Sequence, residues 1–289
     1  MTTILPNLRS SLNEEFCLQK CKECFFITLA PLPDDQVLEK YYNRDYWDEE
    51  STSTSKHLNH FFALRMGGVV RELKRLIPEN GRILDWGAGD GSFVRLLNKK
   101  GFSAYGIDKF STACDETMIF SSTIHDTPFA SRYFDCITSF HVLEHLKDPK
   151  DSVKSAFNLL KPGGIFICEV PNISSFQYNF FREKWQPLEI PFHVNHFSPD
   201  TLSKLFNDTV NSNIIKMSYF SHRVSPSALL LSIFPLFSPK QVRRKYGGRY
   251  PLILKIIYLL FQLAVYPLAM AEASFRRGGI VRFYLKKQE

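Results

Sequence analysis

The stretch from Arg82 to Gly91, Arg-Ile-Leu-Asp-Trp-Gly-Ala-Gly-Asp-Gly, most constrains what this chain can fold into. A short apolar run at Ile83 and Leu84 leads into a Gly-x-Gly-x-Gly turn, and apolar residues at helical spacing follow from Ser92. Glycine suits such a turn because it adopts positive φ readily and lets a ligand approach the backbone closely. Strand, tight glycine turn and helix in this order predict the first βα unit of a doubly wound α/β sheet.

Two classes of ligand use a turn of this kind. A dinucleotide fold places a pyrophosphate at the helix N-terminus, where free N–H groups and the helix dipole attract anions. Here Asp90 lies in the turn, no Lys or Arg lies between the turn and Arg95, and the spacing departs from Gly-x-Gly-x-x-Gly. A fixed carboxylate repels a pyrophosphate, whereas the sulfonium and ammonium of S-adenosylmethionine (SAM) suit acidic surroundings. The turn therefore favours SAM, with dinucleotide binding as the lesser alternative.

Three motifs in order resemble those of class I SAM-dependent methyltransferases. They are Ile83 to Gly91 with Asp85 in the family's acidic position, a second strand that ends at Asp108, and Phe134 to Ile137 followed by the loop Val142 to Pro149. The resemblance implies an α/β fold with a doubly wound seven-stranded sheet whose last strand is antiparallel. It also implies that the chain is an enzyme that uses SAM.

The resemblance further implies which residues bind the cofactor. In the family, the acid at Asp108 accepts hydrogen bonds from the ribose hydroxyls; an acid at this distance would also fit NAD, so it indicates a nucleoside without choosing one. Ile124 is expected to contact adenine, although Thr123 stands where the family often has an acid. The full predicted set is Asp85, Gly87, Ala88, Gly89, Gly91, Asp108, Lys109, Ile124 and Phe140.

Three histidines, His141, His145 and His193, are candidates for a general base that would remove the proton of a hydroxyl acceptor. His141 closes the predicted fourth strand, where the similar quinone-biosynthesis O-methyltransferases have an acid, so metal assistance is not expected. The alternative for Glu144 and His145 is a purely structural role in fixing the loop by hydrogen bonds. No metal site is predicted.

Cys17, Cys21 and Cys24 mark the N-terminal segment. Their Cys-x3-Cys-x2-Cys spacing is formally that of radical-SAM enzymes, but those enzymes have a barrel-type fold that the glycine turn argues against. A zinc ribbon needs four ligands, and no cysteine precedes Cys17. The remaining interpretation is a short strand with a degenerate or lost zinc site. A cluster of tyrosines and a tryptophan at positions 41, 42, 46 and 47 then predicts either a lid over the cofactor or packing at the domain edge.

The positive charge of the chain is concentrated at its C-terminal end. Residues 201–289 contain 14 Lys and Arg but three acidic residues, whereas the net charge of the whole chain is +7. Within this part, an insertion from Ser225 to Gly279 alternates apolar runs with a basic run from Lys240 to Arg249. Because Lys255, Gln262 and Pro267 interrupt the second apolar run, we expect a helix lying in a membrane interface rather than a spanning one. A helical lid or a dimer interface is the alternative.

The sequence thus predicts three segments: residues 1–55 with the cysteines and the aromatic lid, residues 56–224 with 280–289 as the SAM-binding domain, and the insertion 225–279. The predicted function is methyl transfer from SAM to a hydroxyl of a small-molecule or lipid-linked glycan or quinone-like acceptor. The alternatives are a non-catalytic SAM-fold partner subunit and a nucleic-acid methyltransferase. Since no apolar run lies near Met1, we expect a cytoplasmic protein in contact with the inner face of the membrane.

Overall fold

The computed structural model describes residues 1–10, 14–34, 38, 56–110, 118–238, 242, 245–246 and 251–289, and the side chains of the first helix from Phe62 onward. Its contacts form two compact units. Unit 1 comprises Met1–Thr52, Pro171–Thr201 and Ser218–Val281, and unit 2 comprises Ser53–Val170, Leu202–Met217 and Arg282–Glu289. The sequence predicted three segments instead; the structure groups the N-terminal segment with residues 171–201 and with the insertion.

The strands, in chain order, are β1 (Thr2–Arg9), β2 (Glu15–Lys20), β3 (Ile27–Ala30), β4 (Arg82–Trp86), β5 (Ser103–Ile107), β6 (Ile119–Phe120), β7 (Phe134–Phe140), β8 (Leu160–Pro171), β9 (Asn195–His196), β10 (Ser212–Ser218) and β11 (Ile280–Lys287). The described helices are α1 (Lys56–Leu76), α2 (Ser92–Lys99), α3 (Pro149–Leu159), α4 (Phe176–Phe181), α5 (Pro199–Thr209), α6 (Ser225–Ile233) and α7 (Leu252–Ser274). A short 3₁₀ helix spans Leu143–His145.

Unit 2 contains the seven-stranded sheet that the sequence predicted, in the order β10-β11-β8-β7-β4-β5-β6. The pairs from β6 through β8 are parallel, and the last strand, β11, is antiparallel. After β4 the chain adds β5 and β6 on one side and then returns to place β7 on the other side. The strand order therefore reverses between β4 and β7, and ligands of open α/β sheets bind at such a reversal, beyond the carboxyl ends of the strands.

Apolar strands explain why this sheet lies at the centre of unit 2. Side chains of β4, β7 and β8 are buried on both faces, as is typical of a parallel sheet covered by helices. Helix α1 is amphipathic, and its residues Met66, Val69 and Leu73 pack in the same core as those of α2.

Two strands of this sheet have unusual ends or lengths. Helix α3 ends at Leu159, and the run Lys161 to Gly164 that follows belongs to β8. The pairing shifts between Phe134 and Cys136, and Gly163 has a φ of 72°, so the run enters the strand through an irregularity. Strand β6 consists of two residues, Ile119 and Phe120.

Unit 1 contains a four-stranded sheet in the order β1-β2-β3-β9, where the sequence predicted one short strand. Cys17 lies on β2 opposite Ala30 of β3, and Cys21 and Cys24 lie in the turn that follows β2. All three are free thiols. The predicted aromatic lid, from Tyr41 to Trp47, lies outside the described residues.

The predicted insertion contains α6 and α7, both in unit 1. Among the described helices, α7 alone is long and apolar enough to cross a bilayer by length and composition, and 11% of its most apolar window is buried. The basic run between the two helices lies largely outside the described residues.

Candidate active site

The predicted cofactor residues of unit 2 lie at the carboxyl ends of β4, β5 and β7. Gly87 and Ala88 directly follow β4, Asp108 follows β5, and Phe140 is the last residue of β7. Because β4 pairs with both β5 and β7, these three strand ends are neighbours. The structure thus brings together the residues that the motifs predicted separately.

The glycine turn is held by its neighbouring strand and requires its glycines. The amides of Gly87 and Ala88 both donate to the carbonyl of Ile107, at 2.8 and 3.1 Å. Gly87, Gly89 and Gly91 have φ angles of 82°, 53° and 74°. A Cβ on Gly91 would lie 1.9 Å from the Cδ1 atom of Ile119, so the turn could not carry a side chain there without rearranging.

The N-terminus of α2 is already occupied by a carboxylate of the protein. Asp90 accepts from the amide of Ser92 at 2.9 Å and from its hydroxyl at 2.7 Å. Arg95 donates to the carbonyl of Asp90 and to the hydroxyl of Ser92, so it is engaged locally. An acid in this position opposes the binding of a pyrophosphate.

Asp108 joins the second strand to the glycine turn. Its carboxylate accepts from the amide of Gly89 at 3.0 Å and from the amide of Phe110 at 2.8 Å. Burial raises the pKa of Asp108 above its ordinary value, and the two amide hydrogen bonds oppose this shift. A carboxylate has about four acceptor positions, so these two amides leave Asp108 able to accept from two ligand hydroxyls.

Asp85 lies deeper than Asp108, inside β4. It is buried, and the hydroxyl of Thr138 on β7 donates to its carboxylate at 2.7 Å. This bond links the two strands on either side of the reversal in strand order.

The other predicted cofactor residues lie in unit 2, at or beyond the ends of β5, β6 and β7. Lys109 is exposed, with its ammonium 5.3 Å from the ring centroid of Phe110. Ile124 is buried beyond β6. Phe140 is half-buried and packs edge-to-face against Phe93 of α2, with the ring centroids 5.6 Å apart.

His141, the residue after β7, is fixed by two carboxylates. Its Nδ1 lies 3.1 Å from Glu144 and its Nε2 lies 3.1 Å from Glu169 of β8. Burial alone would lower the pKa of His141, but the hydrogen bonds to the two acids outweigh burial and raise the pKa to about 9. The residue also has a φ of 59°, in the left-handed region that few non-glycine residues adopt. Because the imidazole is cationic at neutral pH, the geometry does not favour the predicted role of His141 as a general base.

A chain of buried polar groups, which sequence reasoning missed, extends from His141 through unit 2. Glu169 also accepts from Arg282 of β11, whose Nε lies at 2.8 Å and whose Nη2 forms a second bond. Arg282 contacts the hydroxyl of Tyr284, which donates to Glu72 of α1. A signal was present in the sequence: Glu169 and Arg282 are each the one charge in an apolar stretch, at positions 165–170 and 280–285. Buried charges are almost always paired.

The two other base candidates lie in different units. His145 is the last residue of the 3₁₀ helix in unit 2 and is half-buried. His193 belongs to unit 1, where its Nδ1 hydrogen-bonds to the carbonyl of Pro187 at 2.8 Å and its Nε2 lies 3.5 Å from Glu189. Both remain candidates.

A family model described as a methyltransferase domain matches residues 58–209, which is more than half of the chain. The chain belongs to the class I SAM-dependent methyltransferases.

Relatives of this methyltransferase have low sequence identity to it. Ubiquinone biosynthesis O-methyltransferase from Dinoroseobacter shibae is 27% identical over 153 residues, which cover 47% of this chain and 62% of that protein. A probable S-adenosylmethionine-dependent methyltransferase from Mycolicibacterium smegmatis is 25% identical over 182 residues, covering 61% of this chain and 63% of that protein. The methyltransferase spans about three fifths of the length of the first curated relatives that it matches.

Solved structures show the same fold. A putative sarcosine dimethylglycine methyltransferase from Galdieria sulphuraria matches with a TM-score of 0.51 at 14% identity, covering 78% of this chain and 86% of that one. A chain from the complex between the Haloferax volcanii Trm112 methyltransferase activator and a putative methyltransferase matches with a TM-score of 0.50 at 18% identity, covering 85% and 97%.

The residues of the methyltransferase crevice fit SAM, the family's cofactor. Asp85, Asp90 and Asp108 surround the glycine turn, which suits a ligand that carries a sulfonium and an ammonium but no phosphate. The acceptor positions left on Asp108 suit the two ribose hydroxyls.

Proposed function

We propose that this methyltransferase transfers a methyl group from SAM to a hydroxyl oxygen of a small amphiphilic acceptor, either a quinone-like phenol or a lipid-linked glycan. The observation that carries the proposal is the pairing of Asp108 with the glycine turn, next to a helix N-terminus that Asp90 already occupies. This arrangement supports the binding of a cationic nucleoside over a phosphorylated one. The names of the quinone-biosynthesis relatives support a hydroxyl acceptor.

When bound, SAM supplies a methyl group that its positively charged sulfur activates toward a nucleophile. The protein's own part is to bind and align, which accounts for much of the rate when reacting groups are held in line. Asp108 would accept hydrogen bonds from the ribose hydroxyls, and the glycine turn would let the backbone approach the ligand closely. Phe140 contributes an apolar surface at the end of β7.

His141 acts as a positioning residue in this proposal. Its contacts with Glu144 and Glu169 fix the backbone at the point where β7 ends and the following loop begins. The proton of the acceptor hydroxyl then passes to His145 or His193, which the sequence predicted as bases. General-base catalysis of this kind typically contributes about 10²–10⁴-fold to the rate.

The proposal places the protein in the cytoplasm, where SAM is made. Its acceptor reaches it there either as a soluble phenol or at the membrane surface.

A methyl-transfer assay tests the proposal: purified protein is incubated with SAM labelled in the methyl group and with catechol-type phenols. Label in the phenol, with formation of the demethylated cofactor, is the expected result. The variants His145→Gln and His193→Gln distinguish the two base candidates. Replacing the residue that acts as the base should lower kcat about 100-fold or more and leave the affinity for SAM unchanged.

A second measurement covers the glycan acceptor. Mass spectra of lipid-linked and soluble glycans from cells with and without the gene should differ by one CH₂ group if the glycan is methylated. Calorimetry that detects no binding of SAM at high micromolar concentration would overturn the proposal and favour the non-catalytic subunit. If the protein binds SAM but methylates neither phenols nor glycans, the proposed class of acceptor is wrong and the binding of SAM still holds.

A further inference from the structure

One side of α7 in unit 1 is an apolar surface that the protein leaves exposed. Its exposed large side chains are Leu252, Ile253, Ile256, Leu259, Leu260, Phe261, Leu263, Leu268 and Met270. We call these residues the α7 face. A helix this apolar would be mostly buried if it served as a core helix of a soluble protein, yet 11% of its most apolar window is buried.

Three polar side chains of α7, those of Gln262, Tyr266 and Glu272, form hydrogen bonds within unit 1. Gln262 is buried and donates to the hydroxyl of Ser227 on α6 at 2.6 Å. Tyr266 hydrogen-bonds to His222, and Glu272 accepts from Gln177 at 2.8 Å. These three bonds attach α7 to unit 1 along about three turns of the helix.

The α7 face continues onto the end of α6. The rings of Phe234 and Phe237 each lie 5.6 Å from the ring of Phe261. Leu236, between them in sequence, is 82% exposed. Contiguous apolar patches of this extent on a protein surface mark sites of contact with a protein or a membrane.

Positive charge borders the α7 face at both ends. Lys255 is exposed in the first turn of α7, and Lys245, which precedes the helix in sequence, is exposed as well. Arg276 and Arg277 are exposed directly after the helix. Within the fully described helix α7, Lys255 and Glu272 are the charged residues, and Glu272 is turned inward.

This charge distribution distinguishes a lipid surface from a second copy of the chain. Two copies that meet through their α7 faces bring cations against cations in either direction, because both ends are basic. An anionic bilayer instead offers hydrocarbon to the apolar side chains and negative head groups to both ends.

We propose that the α7 face binds the protein to an anionic lipid bilayer, with α7 lying in the plane of the interface. A spanning arrangement would break the hydrogen bonds of Gln262, Tyr266 and Glu272 and leave polar groups in hydrocarbon, which is costly. The in-plane arrangement keeps all three bonds. This docking is independent of the methyl acceptor, so either can fail without the other.

Flotation of the full chain with lipid vesicles tests the docking. The protein should float with phosphatidylcholine vesicles that contain about 30% phosphatidylserine and float much less with phosphatidylcholine alone. Leu260→Glu should lower the apparent affinity at least tenfold. Lys255→Gln should lower it about fivefold, the effect of about one interfacial cation.

Leu64→Glu is the matched control, because Leu64 on α1 is 65% exposed and Leu260 is 60% exposed. It should float like the unchanged protein. SAM affinity and thermal unfolding of all three variants should match the unchanged protein, which shows that lost flotation is not lost folding.

Three results would overturn the proposal. Flotation of Leu260→Glu equal to that of the control excludes the α7 face as the binding surface. A dimer in light scattering that Leu260→Glu dissociates, without flotation of the unchanged chain, assigns the face to a second copy. Retention on vesicles after alkaline carbonate extraction would show a spanning helix instead of an in-plane one.

Discussion

Asp108 and Glu169 are both acids near the carboxyl ends of strands in unit 2, yet they are bonded to different kinds of partner. Asp108 accepts from two backbone amides of its own neighbourhood. Glu169 accepts from two cationic side chains, His141 and Arg282. An acid whose charge is matched inside the protein holds the fold together, whereas one that only amides contact keeps its charge available for a ligand. Within one sheet, Glu169 therefore has a structural role, and Asp108 is the acid available to bind a ligand.

Replacement of Glu169 by Ala should have the largest effect on stability. It leaves the guanidinium of Arg282 buried without its carboxylate, and breaking a buried pair costs about 3–5 kcal/mol. Urea unfolding measures this loss. Asp208→Ala, which removes an exposed pair with Lys204, should cost about 0.5 kcal/mol or less.

Glu169→Gln keeps the shape of the side chain and serves where the alanine variant is too unstable to purify. Should Glu169→Ala and Asp208→Ala lose the same free energy of unfolding, the buried chain would not have the structural role assigned to it.

The pH dependence of the free energy of unfolding should reflect the protonation of His141. Its pKa is raised from 6.5 to about 9, so its contribution is fully present below pH 6.5 and is lost as the pH rises through about 9. A shift of this size corresponds to about 3 kcal/mol. Urea unfolding at several pH values between these limits measures it.

His141→Asn provides the reference for that measurement, because Asn tolerates the left-handed backbone of this position. Its stability should depend less on pH than that of the unchanged protein over the same interval. Parallel curves for the two proteins would show that other groups cause the dependence.

Asp108→Ala should mainly weaken SAM binding, whereas Glu169→Ala should mainly lower stability. Loss of hydrogen bonds from a carboxylate to two ribose hydroxyls should weaken SAM binding about 100-fold. Stability should change much less than in Glu169→Ala, because relief of a buried charge and loss of two amide hydrogen bonds oppose each other. Calorimetry and urea unfolding measure the two quantities, with Asp208→Ala again as the control. A variant that loses stability but binds SAM normally would make Asp108 structural as well.

The sequence was sufficient for the part of the site that is local. The placement of the glycine turn, Asp85 and Asp108 at neighbouring strands could be predicted, because strand, turn and acid are close in the chain and each has a characteristic spacing. The bond from Arg282 to Glu169 joins residues 113 positions apart, and no spacing rule connects them. Whether a histidine is a free base or a clamped cation depends on such distant partners, which is why His141 was predicted as a base.

The grouping of the chain into two units could not be predicted from the sequence for a similar reason. Strand β3 pairs with β9, which lies far along the chain, and this pairing joins the N-terminal segment to residues 171–201. Two-residue strands such as β9 carry almost no pattern of their own. Their existence depends on the strand that they pair with.

Thr138→Val should give the smallest of these predicted effects. It tests whether Asp85 has a structural role, like Glu169, or a ligand-binding role, like Asp108. Asp85 resembles Asp108 in its motif but Glu169 in its burial and its side-chain donor, since Thr138 bonds to it at 2.7 Å. Removing this donor should cost about 1–2 kcal/mol of stability, because a buried acceptor loses a partner. SAM affinity should change by less than about threefold if Asp85 mainly joins β4 to β7, since a fold-change of that size is below about 1 kcal/mol. Thr138→Ser keeps the hydroxyl and should restore most of the stability. A loss of SAM affinity as large as that of Asp108→Ala, with stability intact, would place Asp85 among the binding acids instead.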